Sequence, residues 1–256
     1  MKFCTLASGS SGNCVYVAHG ATGILIDVGI SMTRIRKSLA ALGGELAMLD
    51  AIFITHDHID HIRALKMLAK YYNIPIFATW ETYCGIVRQF PELNGAVNIL
   101  SCASPITVGE VEVVSFPTPH DAPGSVGYRV NAEGGSFAVV TDVGYITQII
   151  YDAVRGVDAI VLEANHDVDM LLTGPYPYYL KQRILSRYGH LSNVDCGQFA
   201  ASLADTGTKT VVLAHLSAEN NTPELADNTV RRALGGADVT LDVAPRSETS
   251  KVYIIC

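Results

Sequence analysis

Paired cysteines and long apolar runs are both missing from this sequence. Six cysteines are scattered along its 256 residues, and no two of them form a CxxC pair. That usage favours reduced thiols in a protein core over a disulfide framework or a zinc knuckle. No apolar run approaches the roughly 18 residues that a membrane-crossing helix needs, and the beginning, MKFCTLASGSSGN, lacks the apolar segment of a signal peptide. We therefore expect a soluble, cytoplasmic protein whose metal sites, if it has any, use nitrogen and oxygen ligands.

Charged residues are also sparse, at 17% of the chain, and acidic residues outnumber basic ones to give a net charge of -7. The negative balance argues against a general coat for nucleic acid, although it leaves room for one local basic patch. Hydrophobic residues make up 49% of the chain, which is enough to bury one large core. No low-complexity segment or charged linker interrupts the sequence, so residues 1–256 are predicted to form a single domain.

Short β-type runs alternate with helical patterns along the whole chain. Strand patterns, bounded by Gly, Pro and Asn turns, occur at residues 2–7, 14–19, 22–29, 51–55, 74–79, 111–116, 125–130, 136–142, 159–164, 209–215, 238–243 and 251–255. Apolar residues at helical spacing occur at 32–42, 63–72, 81–90, 146–156, 176–189, 194–207 and 223–236. Many strands are neighbours in hairpin-like pairs with helices outside the pairs. This arrangement indicates an α/β fold with two mixed sheets covered by helices.

The densest group of metal-ligand residues lies in the stretch ITHDHIDHI, residues 54–62, directly after an apolar strand pattern. In an extended segment His56 and His58 project to the same side, while Asp60 and His61 begin the next helix and reach a second point nearby. Two metal ions a few ångström apart are the natural consequence. The alternative is a polar turn with Asp60 as a helix N-cap, a role for which histidines have no special use. The HxHxDH spacing therefore favours a metal site.

This motif resembles the signature of the metallo-β-lactamase-fold hydrolase superfamily. Later stretches match that family in order, each after an apolar strand pattern: LIDVG with Asp27, SFPTPHDAPGSVGY with His120, FAVVTDVGY with Asp142 and TVVLAHLS with His215. The resemblance implies a four-layer αββα sandwich. It also implies that His56, His58 and His120 hold one metal, that Asp60, His61 and His215 hold the other, and that Asp142 bridges them.

Without the family order, each later residue has an ordinary structural interpretation. His120 and His215 would be hydrogen-bonded histidines, and Asp142 and Asp27 would be turn residues after strands. With the order, we interpret Asp142 as a ligand and Asp27 as an acceptor that orients ligands.

Three histidines fall outside this ligand set: His19, His166 and His190. His19 lies in a predicted hairpin turn and is expected to be solvated. His190, in RYGHLSN, is either a loop residue in a capping turn or a catalytic acid, because phosphodiesterase branches of the superfamily carry a comparable histidine before the last metal ligand. For His166 a place beside the site and a purely structural place both remain open.

Two cations held by histidines and carboxylates lower the pKa of a water between them, so that a metal-bound hydroxide is available near neutral pH, and they polarise a phosphoryl or carbonyl oxygen. In this scheme Asp60 and Asp142 hold the nucleophile, and His190 in its protonated form either donates a proton to the departing oxygen or stabilises negative charge on the phosphate. Mixed His and carboxylate ligation suits Zn, Mn or Fe.

Several branches of the superfamily are disfavoured. A flavo-diiron oxidoreductase would have Glu in place of His58, and class B β-lactamases usually lack His at the place of His61. A β-CASP nuclease needs a large inserted domain, but only 47 residues separate Asp142 from His190. A non-enzymatic binding protein is disfavoured because the full ligand set is present.

A phosphodiester substrate is favoured by the stretch YPYYLKQRILSRYGHLSN, in which Lys181, Arg183 and Arg187 accompany Tyr176, Tyr178 and Tyr179. Cations hold phosphates and aromatics stack on bases, although an ordinary amphipathic helix explains the same pattern. The loop LASGSSGN is a second candidate for contact with anions, and a plain hairpin turn is its alternative.

Together these stretches resemble the YycJ/WalJ group of the superfamily, over most of the chain. That resemblance implies a DNA-directed phosphodiesterase of the 5′-to-3′ exonuclease type with two manganese or zinc ions. A thioester or lactone hydrolase resembling glyoxalase II, acting on a small molecule, is the alternative.

Overall fold

Two mixed β-sheets pack face to face between two layers of helices, in the computed structural model, which describes residues 1–255. Each sheet has seven strands. The predicted four-layer αββα sandwich is confirmed.

The strands are β1 (Lys2–Ala7), β2 (Cys14–His19), β3 (Thr22–Ile26), β4 (Ala51–Phe53), β5 (Ile76–Ala78), β6 (Val97–Ile99), β7 (Ile106–Val108), β8 (Val111–Pro117), β9 (Val126–Ala132), β10 (Gly135–Val140), β11 (Ala159–Glu163), β12 (Thr210–Ala214), β13 (Thr240–Val243) and β14 (Tyr253–Ile254). The helices are α1 (Met32–Ala41), α2 (Ile59–Ile62), α3 (Leu65–Tyr71), α4 (Trp80–Gln89), α5 (Gln148–Val154), α6 (Val168–Thr173), α7 (Tyr178–Ile184), α8 (Asn193–Ala204) and α9 (Pro223–Leu234). Short 3₁₀ turns cover Leu46–Met48 and Pro91–Leu93.

The two sheets have the same sequence of antiparallel and parallel strand pairs. The first has the order β14-β1-β2-β3-β4-β5-β6, and the second has the order β13-β12-β11-β10-β9-β8-β7. In each sheet antiparallel pairs give way to parallel ones, which begin at β3–β4 in the first sheet and at β10–β11 in the second. The carboxyl ends of the parallel strands meet at one edge of each sheet, where open α/β sheets place functional groups.

The strands build the core by alternation, because successive side chains in a strand point to opposite faces. In β3, Ile24 and Ile26 face the space between the sheets, and Leu25 faces the helices outside the first sheet. In β11, Val161 faces the inner layer and Ile160 packs under the outer helices of the second sheet. Central strands buried on both faces read as unbroken apolar runs, which is why the sequence marks them so clearly.

The main disagreement with the sequence prediction concerns the segment 176–189, which was predicted as one long helix. Helix α7 covers only its middle, because the chain then turns sharply and His190 N donates to the Ile184 carbonyl at 3.0 Å. Gly189 permits this turn, since a Cβ there would lie 2.1 Å from that same oxygen. Strands β6 and β7 and helix α6 were not predicted, because segments of three to six residues are too short to show a period. The helix expected to begin at Asp60 and His61 is present as the short α2, which starts at Ile59.

Within residues 1–255, none of the helices combines the length and the hydropathy that a bilayer crossing requires.

Candidate metal centre

The turn after β4 brings its histidines close together. The backbone leaves the strand at Ile54 and stays extended at His58, which is the N-cap residue of the short helix α2. His56 and His61 are fully buried, with ring centroids 4.1 Å apart, whereas His58 is half-buried. The three histidines of the turn thus lie in one small region at the edge of the sheet.

Asp27, which follows β3, fastens this turn from the neighbouring strand. Its Oδ2 lies 2.7 Å from His61 Nδ1 and accepts a hydrogen bond from Thr55 Oγ1 at 2.8 Å. Thr55 Oγ1 in turn lies 3.0 Å from His56 Nδ1. These contacts occupy the Nδ1 atoms and leave the Nε2 atoms of both rings for another partner, as expected of a carboxylate that orients metal ligands.

The second sheet contributes one residue from each of several strand ends. Val140 of β10 is in register with Leu162 of β11, and Leu162 is in register with Leu213 of β12. The residues that follow at this edge are therefore neighbours: Asp142, Glu163 and His215. His120 joins them from the segment after β8, and its Nε2 lies 3.4 Å from His58 Nδ1.

Three of the residues at this edge have left-handed backbone conformations. Asp27, Asp142 and His215 have φ values of 59°, 56° and 54°. Such values are uncommon for residues other than glycine and cost on the order of 1–3 kcal/mol each. Each of the three stands within two residues of the end of a strand, in the turn where the chain leaves the sheet.

All seven residues predicted as metal ligands fall into four overlapping groups, in each of which the ligand atoms lie within 4.8 Å of one another. The groups are His56/His58/His120, His56/His61/Asp142, Asp60/His61/His215 and Asp142/Glu163/His190/His215. The first and third correspond to the two ligand triads that the sequence resemblance implies, and Asp142 belongs to both of the other groups.

The donor set fits a pair of divalent transition-metal ions. His56 Nε2, Asp142 Oδ2 and His215 Nε2 are buried and have no hydrogen-bond partner within residues 1–255. Buried polar atoms are nearly always partnered, so three such atoms at one place fit the ligation of a cation. Imidazole and carboxylate ligands without a thiolate suit Zn, Mn or Fe.

Glu163 is the important residue that the sequence analysis missed. It is fully buried at the end of β11, and its Oε1 lies 2.8 Å from both His190 Nδ1 and His215 Nδ1. Its Oε2 accepts hydrogen bonds from the backbone N–H groups of Val143 and Leu191. The rule that predicted Asp142 and His215, a polar residue at the end of an apolar strand, applies equally to the Glu in AIVLEA.

Charge pairing governs the pKa values around Glu163. Burial alone would raise the pKa of the Glu163 carboxyl, but the charge of His190 and the hydrogen bonds from His190 and His215 lower it to about 2. Burial opposes protonation of His190, yet the Glu163 carboxylate outweighs it and raises the His190 pKa above its ordinary value. The contact therefore favours a His190 ring whose Nδ1–H donates to the Glu163 carboxylate.

Burial would likewise raise the pKa of Asp60, but the nearby charge of His61 and the approach of His215, whose Nε2 lies 3.7 Å from Asp60 Oδ2, hold it well below the usual range. Asp60 is thus a carboxylate at any working pH. Asn13 steadies this side of the centre, because its Nδ2 donates to Asp60 Oδ2 at 3.3 Å and lies 3.0 Å from His61 Nε2. Asn13 was not predicted as a site residue, although it ends the loop LASGSSGN.

A cavity of about 150 Å³ opens beside the centre. Its walls include His190, Arg183, Tyr176, Ser10, Asn165 and Ser217. Of the three cations predicted to bind substrate, Arg183 lies here but is ion-paired with Asp121. Lys181 donates to the Leu172 carbonyl, and Arg187 stacks over the Tyr145 ring at 4.4 Å.

The two remaining histidines lie apart from the ligand groups. His19 ends β2 and is half-buried. His166 is buried, and burial lowers its pKa to about 4, so that it is neutral at physiological pH. Its ring nitrogens have no hydrogen-bond partner in the described part of the chain.

Comparison with known proteins agrees with this architecture. Residues 22–216 match the family model described as the beta-lactamase superfamily domain. The solved structure of YhfI from Bacillus subtilis, a metallo-β-lactamase fold protein, superposes with a TM-score of 0.74 over 98% of each chain, at 16% sequence identity.

Two curated relatives are similar along almost their whole length. The chain is 38% identical to a Streptococcus pneumoniae protein named exodeoxyribonuclease WalJ, over 94% of this chain and 91% of the relative. It is 34% identical to a Bacillus anthracis protein named exodeoxyribonuclease YycJ, over 99% of each.

Proposed function

Because the chain belongs to the beta-lactamase superfamily domain family, in its metal-dependent hydrolase branch, we propose that it is a two-metal phosphodiesterase that degrades DNA from duplex ends in the 5′-to-3′ direction. The observation that carries the proposal is the pair of neighbouring ligand triads, with Asp142 grouped both with their members His56, His61 and His215 and with His190. The names of the curated relatives supply the substrate class.

In this proposal His56, His58 and His120 hold one divalent ion, Asp60, His61 and His215 hold the other, and Asp142 lies between them. Two such ions supply an activated water and polarise the phosphoryl oxygen. Zn or Mn is the proposed metal, with Fe as a further possibility. Residues 1–256 act as a single domain, since both sheets contribute to the one centre.

The protein's own groups position the reactants. The Asp60 and Asp142 carboxylates accept hydrogen bonds from the attacking water and fix its direction. His190 donates a proton to the departing oxygen of the cleaved strand. Because Glu163 holds His190 Nδ1, the opposite nitrogen, Nε2, is the one left to donate.

The surface beside His190 carries aromatic and basic side chains that suit a nucleic acid. Tyr178 and Tyr179 are 76% and 74% exposed, which leaves their rings available to stack on bases. Lys181, Arg183 and Arg187 are the cations of this surface that we propose to contact the phosphates. The cavity, at about 150 Å³, is smaller than the several hundred Å³ that enclose a drug-sized ligand, so it suits one group of a longer chain.

A substrate screen on metal-loaded protein tests the proposal. We expect cleavage of a labelled DNA duplex and of bis(p-nitrophenyl) phosphate, and little hydrolysis of a thioester or a lactone. DNA cleavage should fall steeply between about 50 and 200 mM salt, because phosphate contacts release counterions. Rapid, salt-insensitive thioester hydrolysis with no DNA cleavage would refute the proposal.

A further inference from the structure

The Gly/Ser loop, residues 8–12, lies directly against the metal centre. Ser8 Oγ accepts a hydrogen bond from the backbone N–H of His215 at 2.8 Å. Asn13, at the end of the loop, contacts His61 and Asp60. The loop is therefore held in place by the same residues that form the ligand set.

The tip of this loop presents backbone donors to solvent. Gly9 N donates to Asn13 Oδ1 and Gly12 N donates to the Gly9 carbonyl, which fixes the shape of the turn. Ser10 and Ser11 are exposed, and their backbone N–H groups donate no hydrogen bond within residues 1–255. Ser10 also lines the cavity that contains His190. Free N–H groups of a turn beside a catalytic cavity form a site suited to an anion.

Two arginines lie against the loop. Arg63 is exposed, and its Nη1 donates to the Ser11 carbonyl at 2.9 Å. Arg246 donates to the carbonyl of Ser217, which lines the same cavity as Ser10. The Arg246 Cγ would lie 3.5 Å from a Cβ placed on Gly9, so the side chain runs along the loop.

Neither of these arginines makes an ion pair in the part of the chain that the structure describes. Among the eleven arginines of the chain, only Arg183 and Arg231 are ion-paired within residues 1–255, so Arg63 and Arg246 are distinguished by their position and not by the lack of a pair. One binds the carbonyl of Ser11 in the loop, and the other binds the carbonyl of Ser217, which lines the cavity. Guanidinium groups that bind only carbonyls retain their full charge and further donors for a ligand.

We propose that loop 8–12, with Arg63 and Arg246, binds the phosphates of the DNA strand next to the scissile bond. This inference rests on the proposed nuclease function. The N–H groups of Ser10 and Ser11 hold one phosphate at the cavity, and the two guanidinium groups hold its neighbours along the strand. Contacts of this kind position the strand and carry no base specificity.

The salt dependence of DNA degradation tests this inference. The quantity measured is kcat/KM for a short labelled DNA duplex on metal-loaded protein, at several NaCl concentrations. Each lost phosphate contact should flatten the slope of log kcat/KM against log salt by about 1, so Arg63→Ala/Arg246→Ala should flatten it by about 2. Arg63→Lys and Arg246→Lys keep the charge and should keep most of the slope.

Lys209→Ala is the matched control. Lys209 stands just before β12, at the opposite edge of the sheet from His215, and its ammonium pairs with Asp238. Its removal should leave the slope at the parent value. Because Arg63 is exposed, Arg63→Ala carries the test by itself if Arg246→Ala lowers the thermal unfolding midpoint.

A slope in the double alanine variant equal to that of the parent would overturn the inference while leaving the nuclease proposal intact. The inference would also be overturned if the Lys variants lost as much of the salt slope as the Ala variants and had a lowered unfolding midpoint. That pattern indicates a purely structural role for the two arginines. A parent protein that cleaves no DNA at any salt concentration would instead refute the proposed function itself.

Discussion

The two sheets build their shares of the metal centre in different ways. The first sheet supplies four candidate ligands from one turn, residues 56–61, and braces that turn with Asp27. The second sheet supplies single residues from four places that are far apart in the chain: His120, Asp142, Glu163 and His215. One half is therefore a local motif, and the other is a product of strand register.

The difference has a physical basis. In the first sheet, helix α2 and the Thr55–Asp27 hydrogen bonds fix the ligands within a few residues of each other. In the second sheet, the parallel register of β10, β11 and β12 alone places Asp142, Glu163 and His215 side by side. Two of these residues also adopt left-handed backbone conformations, so the surrounding structure has to hold them there.

The largest expected effect is at the residue that joins the two halves. Asp142→Asn should reduce DNA cleavage to the background level and release metal, because one neutral amide replaces the carboxylate that is grouped with residues of both ligand triads, His56 of the first and His61 and His215 of the second. Elemental analysis and a cleavage assay check this. Asp121→Asn is the comparison: its carboxylate also lies near His120 Nε2, at 3.3 Å, but is paired with Arg183. It should keep its metal, and equal metal loss in both variants would contradict the assignment.

His190→Ala should lower kcat by about 10² to 10⁴ while both metals remain bound, because it removes a proton donor and no ligand of either proposed triad. Single-turnover cleavage of a DNA duplex at saturating metal measures the effect. His19→Ala, at the end of β2 away from the ligand groups, is the control and should change neither rate nor stability. A near-normal rate in His190→Ala would remove this histidine from the mechanism.

Glu163→Gln and Asp27→Asn compare two carboxylates that contact histidines of the centre, Asp27 from the first sheet and Glu163 from the second. Each should cost about 10- to 100-fold in metal affinity or activity, the usual effect of losing a carboxylate behind a metal-bound histidine. Asp27 contacts only the first half's turn, whereas Glu163 contacts both His215 and His190. We therefore expect Asp27→Asn to act mainly on metal affinity and Glu163→Gln to lower kcat as well. Titrating each variant with metal gives its metal affinity, and kcat measured at saturating metal gives its turnover, so the two effects are separated.

The smallest effect on activity is expected at His166, which follows the same strand as Glu163 but lies outside the ligand groups. Its pKa of about 4 in the folded protein lies below the ordinary value near 6.5 of the unfolded chain. The folded state thus binds fewer protons, and stability present above about pH 6.5 is lost as the pH falls toward 4, by up to about 3 kcal/mol.

His166→Gln should keep most of the cleavage rate. It should also weaken the pH dependence of the free energy of unfolding between pH 6.5 and 4, measured by denaturant titration at each pH. If the profile of the variant matched that of the parent, His166 would not be the titrating group.

The same contrast explains what the sequence could predict. The contiguous HxHxDH motif marks the first half of the centre without any knowledge of the fold. The residues of the second half are ordinary strand-end residues until a family order or a structure brings them together. Glu163 shares that strand-end position, but it was not among the motifs that the family resemblance supplied. The sandwich itself was predictable, since its central strands are buried on both faces.

The segment 176–189 shows the limit of periodicity. Its apolar spacing fits a helix, but the contacts of Gly189 with the Ile184 carbonyl end α7 early and direct His190 toward Glu163. Those contacts are made only in the folded chain.

Metal stoichiometry tests most directly whether the two halves together form one two-metal centre. Elemental analysis after mild reconstitution should find close to two transition-metal ions per chain in the parent protein. His61→Ala, from the turn of the first half, and His215→Ala, from the end of β12, should each reduce that content. At most one ion per chain in the parent, with the same content in both variants, would contradict the account.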